Sequence, residues 1–154
     1  MNSNVCRWRL DATALRGIIT ATVTPFDSKF EVDYDAIRAH VKNVIENGST
    51  GITCNAMAGE VASLTREEKK RIVQVIVDTV RKEVPVIAGV FAESTREAIE
   101  AASDAKATRA DALLVGAPSV FGRGIAQAEG IALKFFEAIT SEVEIPIVVY
   151  QHPH

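Results

Sequence analysis

Five short runs of β-branched and other apolar residues, at 17–22, 51–54, 86–90, 112–115 and 147–150, recur along the chain with helix-period sequence between them. Each run is continuous in its hydrophobicity or nearly so, the pattern of a strand buried on both faces in a parallel sheet. In the first interval Tyr34, Ile37, Val41 and Val44 fall on one stripe of a helix. Ile72, Val73, Ile76 and Val80 repeat the stripe, as do Ile99, Ala102 and Ala105, and then Ile131, Ala132, Phe135, Phe136 and Ile139. Thr65-Arg66-Glu67-Glu68 and Ser94-Thr95-Arg96-Glu97 read as capping boxes at helix starts, in which a hydroxyl and a carboxylate three residues on satisfy orphan amides. Glu83-Val84-Pro85 and Glu144-Ile145-Pro146 stand just before strands, where proline ends a helix and is tolerated at the first residue of a strand.

The order is β-α-β-α-β-α-β-α-β in one domain, with residues 16–154 as the folded part and 1–15 as a poorly ordered or loosely docked lead-in. Strict alternation allows two architectures. A doubly wound open sheet of five strands would be complete in 154 residues. A (β/α)₈ barrel would not, since barrels run to ~250 residues. Here the sequence given stops shortly after the fifth strand, whereas an open sheet usually ends on a helix. Periodicity alone leaves the choice open.

Composition narrows the function. Hydrophobic residues at 47% suffice for an ordinary core, and 17 Lys+Arg against 20 Asp+Glu leave a net charge of −3. That balance excludes the basic footprint of a general nucleic-acid binder. Two cysteines, Cys6 and Cys54, cannot frame a disulfide scaffold and fit a reducing compartment. No run approaches the ~20 apolar residues of a membrane span. The first residues carry Arg7 and Arg9 but no apolar segment of a secretory signal, so a cytoplasmic location is expected.

In either architecture chemistry sits at the carboxyl ends of the strands. The small-residue loop 55–60, Asn-Ala-Met-Ala-Gly-Glu, lets backbone amides face a carboxylate or phosphate; an ordinary strand-to-helix turn is the alternative. Tyr150 ends the fifth strand with a phenol able to relay a proton, unless it is a core tyrosine. Gly122-Arg123-Gly124 departs from a dinucleotide fingerprint, with Gln127 at the third glycine position. His152 and His154 lack a carboxylate or cysteine partner, so no metal site is expected. His40 reads as a surface residue and Cys54 as a small apolar residue of a buried strand.

Taken in order, these segments resemble the dihydrodipicolinate synthase/N-acetylneuraminate lyase family. Residues 17–26, Gly-Ile-Ile-Thr-Ala-Thr-Val-Thr-Pro-Phe, look like its opening strand, and Ala58-Gly59-Glu60 like the end of its G-x-x-G-E motif. Ser63-Leu64-Thr65 with Glu68 matches the helix start that follows. Residues 84–90 and 110–115 match the third and fourth strands, and 145–153 the fifth, with an altered Y-N-x-P motif. The resemblance covers residues 16–154.

The resemblance implies an α/β fold of the (β/α)₈ TIM-barrel family, here with about the first five strands and four helices. It also implies Schiff-base lyase or aldolase chemistry on pyruvate or another 2-oxo acid. A family lysine on the sixth strand forms the imine, which is itself the electron sink, so no cofactor is called for. Tyr150 matches the proton-shuttling tyrosine. Met57, Ala58, Gly59 and Glu60 match the loop that holds the substrate carboxylate through backbone amides and hydroxyls. Family members are commonly dimers or tetramers, so a homo-oligomer is expected.

Three departures stand out. The Schiff-base lysine falls outside these residues, and Lys134, on a helix, does not match its position. Ala56, Met57 and Ala58 replace the loop's first glycine and its hydroxyl residues. Ser119 and Val120 replace the aromatic pair that dihydrodipicolinate synthases carry after the fourth strand. These residues suit a family member with another 2-oxo acid or aldol substrate better than dihydrodipicolinate synthase itself. The alternative is a non-catalytic half-barrel that binds a small carboxylate or assembles with a partner chain.

Overall fold

A computed structural model describes residues 15–122 and 130–151. Nearly all of the 1–15 lead-in, with Cys6, lies outside the described residues, as do the glycine-rich segment from Arg123 and both terminal histidines.

Five strands form one sheet: β1 (Ile19–Ala21), β2 (Gly51–Cys54), β3 (Val86–Phe91), β4 (Ala112–Gly116) and β5 (Ile147–Tyr150). Four helices separate them: α1 (Tyr34–Glu46), α2 (Arg66–Val80), α3 (Thr95–Ala107) and α4 (Ile131–Glu142). All pairings are parallel and the spatial order is β1-β2-β3-β4-β5. This order decides between the two architectures. A doubly wound sheet reverses its order at a switch point, whereas a barrel adds each strand beside the last. No reversal occurs, so the described residues form five successive staves of a barrel.

The helices pack on one face of that sheet. Ile52 and Cys54 of β2, Val86, Ala88 and Val90 of β3, and Leu113 and Val115 of β4 join one cluster with Ile37, Val41, Ile72, Ile76, Ala98, Ala102, Phe135 and Ile139 of the four helices. The alternate strand residues face the barrel interior. Thr53, Ile87 and Ala112 form one interior row and Phe91, Gly116 and Tyr150 another, nearer the carboxyl ends.

Local signals explain the elements. Thr65 and Glu68 make the full reciprocal capping box at α2. At α3 only half the expected box forms: the Ser94 hydroxyl accepts from the Glu97 amide, and the Glu97 carboxylate makes no return bond to the Ser94 amide. The α3 stripe is centred on Ala98, Ala102 and Ala105, with Ile99 half-buried at its edge. A further signal is Asp33, whose carboxylate caps α1 by accepting from the Asp35 and Ala36 amides.

His40 departs from its expected surface position. It is half-buried on α1, and its Nε2 has no hydrogen-bond partner among the described residues. The residue lies one position before Val41 of the buried stripe, so a helix turn of 100° carries it only partly toward water.

Candidate functional site at the carboxyl ends of the strands

The loop after β2 begins with a sharp departure from the strand. Asn55 adopts a left-handed conformation (φ 52°), which throws its carbonyl across Gly89 of the neighbouring strand. A Cβ on Gly89 would lie 2.0 Å from that oxygen, so the loop can take this path only over a glycine. Asn55 is itself buried, and its Nδ2 donates to the Lys69 carbonyl of α2 at 2.8 Å. One buried asparagine thus ties the end of β2 to the helix that follows.

Ala56 is extended, and Met57, Ala58 and Gly59 then form a single 3₁₀ turn. The first amides of such a turn have no internal acceptor. The Gly59 amide donates to Ala56 O at 3.0 Å and the Glu60 amide to Met57 O at 3.1 Å. The amides of Met57 and Ala58 make no hydrogen bond among the described residues. Of the four loop residues singled out in the sequence, two therefore hold free donors. The other two shape the turn. Gly59 is buried and packed under Thr24, whose hydroxyl donates to the Gly59 carbonyl at 2.8 Å. Glu60, in a left-handed conformation (φ 53°), links this turn to a second one over Val61–Ser63.

The β1 extension braces the loop from the other side. The Thr22 amide donates to Thr53 O at 2.9 Å, and the Thr22 hydroxyl reaches the same oxygen at 3.2 Å. Thr22 and Thr24 belong to the Thr-Val-Thr-Pro segment noted in the sequence, but only the tertiary pairing gives them their supporting part.

Tyr150 lies at the same end of the sheet as the loop, with β3 and β4 between them. It is half-buried, and its ring meets the Phe91 ring edge to face, centroids 5.3 Å apart and planes at 71°. Between the two strands lies Gly116, which pairs with both Phe91 and Tyr150. Ser119, just past β4, donates from its amide and its hydroxyl to one Glu93 carboxylate oxygen, at 3.1 and 2.8 Å. Phe121 turns the other way and packs on Phe135 of the helical core.

Cys54 is fully buried, with its thiol 3.9 Å from the Ile87 carbonyl, and burial pushes its pKa up to about 12. That suits the expected apolar role and not a nucleophile. A cavity of about 230 Å³ lies between α2 and α3, lined by Asn55, Arg66, Lys69, Phe91, Glu97 and Asp104 among others. The buried Asn55 Oδ1 has no hydrogen-bond partner among the described residues. Among the described residues no group of three or more His, Cys, Asp or Glu is placed to hold a metal ion. No described helix is long and apolar enough to cross a membrane.

A sequential parallel sheet, with a small-residue loop after its second strand and a tyrosine ending its fifth, is the arrangement of the first five units of a (β/α)₈ barrel. Residues 14–154 match the model of the dihydrodipicolinate synthetase family, and the chain belongs to that family. It is 41% identical over 139 residues to the 4-hydroxy-tetrahydrodipicolinate synthase of Bartonella tribocorum, an alignment spanning 90% of this chain and 46% of that protein. Among solved structures, a chloride-inhibited dihydrodipicolinate synthase from Acinetobacter baumannii complexed with pyruvate superposes with a TM-score of 0.78 at 33% identity, over 89% of this chain and 46% of that one. The 4-hydroxy-tetrahydrodipicolinate synthase of Methylacidiphilum fumariolicum superposes at 0.82 with 29% identity, over 90% and 45% of the two chains. The chain thus spans about half the length of the relatives it matches, their amino-terminal part.

Proposed function

We propose that these residues supply the carboxylate-binding loop and the proton-relaying tyrosine of a Schiff-base lyase acting on pyruvate or a related 2-oxo acid. The observation that carries this reading is the pair of free amides at Met57 and Ala58, in the loop where the family's substrate carboxylate is held. Two N–H donors at the start of one turn match two carboxylate oxygens without help from hydroxyl side chains.

In this reading a lysine amine from a strand beyond these residues attacks the 2-oxo carbon, and loss of water gives the imine. Tyr150 passes a proton to the departing hydroxyl and later manages the proton at the carbon that forms or breaks a bond. Met57 and Ala58 hold the substrate by its carboxylate, which fixes the carbonyl relative to the amine. Met57 is 61% exposed, and with Ala58 in place of hydroxyl residues it gives the loop an apolar rim. That rim supports a substrate with an apolar or bulky group beside the carboxylate in preference to dihydrodipicolinate synthesis. The assembly is a homo-oligomer.

The test is inactivation by borohydride. The full chain, incubated with pyruvate and a set of other 2-oxo acids, should lose turnover irreversibly only when a 2-oxo acid and borohydride are present together. Retained 2-oxo acid binding with no inactivation would replace this reading with the non-catalytic one.

A further inference from the structure

The row formed by Phe91, Gly116 and Tyr150 has properties that the carboxylate loop does not explain. The three residues are cross-strand partners on β3, β4 and β5, facing the barrel interior one row below the loops. Gly116 is buried and has no Cβ; one built there would lie 2.6 and 2.7 Å from two ring carbons of Phe91. The Phe91 ring therefore lies directly over the β4 backbone, in the space a side chain would fill. From there it reaches across a whole strand to meet the Tyr150 ring. Glu93, two residues beyond Phe91, holds Ser119 beyond Gly116 by two hydrogen bonds, so the ends of β3 and β4 are fixed to each other just outside the row.

We infer that Phe91 is a positioning residue for Tyr150: across the gap left by Gly116, its ring holds the phenol in the orientation that the proton relay requires. The inference rests on the functional reading above. A tyrosine at the end of a half-covered strand has two free side-chain torsions, and its hydroxyl sweeps several ångströms as the first one changes. An edge-to-face neighbour favours one ring orientation over the others. The contact involves the ring alone and leaves the hydroxyl to face the reacting atoms. Turnover, and not substrate binding, is what such a contact should control.

These residues contain two tyrosines, Tyr34 and Tyr150, and a label on the tyrosine rings reads the contact. Incorporation of fluorotyrosine into the full protein gives a fluorine resonance for each tyrosine, and Tyr150→Phe and Tyr34→Phe assign these two. In Phe91→Leu the Tyr150 resonance should shift while that of Tyr34 stays. Turnover should fall roughly ten- to hundredfold with an unchanged KM for the 2-oxo acid. Phe91→Tyr, which keeps the ring but would itself take up the label, is read by turnover alone and should restore most of it. Phe91→Met, of similar volume, serves the same comparison if the leucine variant does not fold. An unmoved Tyr150 resonance, or a turnover equal to wild type, overturns the inference, as does a loss that follows only the folded fraction. If wild-type protein forms no borohydride-stable adduct with any 2-oxo acid, the functional reading itself falls and takes this inference with it.

Discussion

The carbonyl oxygen of Asn55 occupies the position over Gly89 that any side chain there would need. The left-handed turn at Asn55 and the bare backbone at Gly89 are halves of one feature, and together they lift the 55–60 loop off the end of β2. Because the obstructing atoms are backbone, they cannot swing aside as a flexible side chain would. Gly89→Ala should therefore lower stability by about 3 kcal/mol, at the upper end of overpacking effects. Chemical denaturation of the variant beside wild type measures this. A loss under ~1 kcal/mol would mean the loop takes another path.

The free amide of Met57 can be removed without disturbing the turn. Met57 is the first residue of its 3₁₀ turn, a position that tolerates proline, and Ala56 before it is already extended as a pre-proline residue must be. Met57→Pro should fold normally and bind 2-oxo acids about tenfold more weakly, the value of one hydrogen bond to a charged group. Calorimetric titration with pyruvate is the measurement.

The capping box at α2 carries a pH dependence. The Thr65 amide and hydroxyl both donate to Glu68 at 2.8 Å and hold its carboxyl below the usual glutamate value. A depressed folded-state pKa stabilises the protein above the unfolded value of about 4.3, and the contribution disappears as pH falls through the folded value. Thr65→Ala should cost ~1 kcal/mol at neutral pH. The gap between wild type and variant should narrow on acidification by the share of the Thr65 hydroxyl's bond to the carboxylate, while the share of the Glu68 amide's bond to that hydroxyl persists, as thermal melts from neutral to acid pH would record.

Asp111 has the opposite sign. Burial raises its carboxyl above the ordinary range, against the lowering effects of the Val86 amide bonded to it at 2.8 Å and of Lys82. A raised folded pKa means a contribution fully present below the unfolded value of about 3.9 and lost as pH rises through the folded one. Asp111→Asn keeps an oxygen for the Val86 amide but cannot titrate. Wild type should lose stability relative to this variant as pH rises above about 4.

How much of this was legible in the sequence differs between fold and site. The runs at 51–54 and 147–150 coincide with β2 and β5, because continuous β-branched sequence bounded by Gly or Pro leaves little freedom. β1 is shorter than its run, three residues from Ile19 to Ala21, since only those three pair with β2. The loop at 55–60 could be singled out by its small residues. Which of its amides stay free could not, because that depends on a 3₁₀ turn that consumes two of them internally. The contact between Phe91 and Tyr150 lay further out of reach, for residues 59 positions apart meet only through the register of three strands. His40 was misplaced for a related reason, since its burial is set by packing and not by its own polarity.

The central claim is that these residues serve an imine formed on a lysine outside them. Its most direct test is tandem mass spectrometry of the full chain after reduction with borohydride in the presence of pyruvate. A single reduced-imine adduct is predicted, on a lysine other than Lys29, Lys42, Lys69, Lys70, Lys82, Lys106 and Lys134. An adduct on one of those seven, or no adduct from pyruvate or any other 2-oxo acid, would contradict the account.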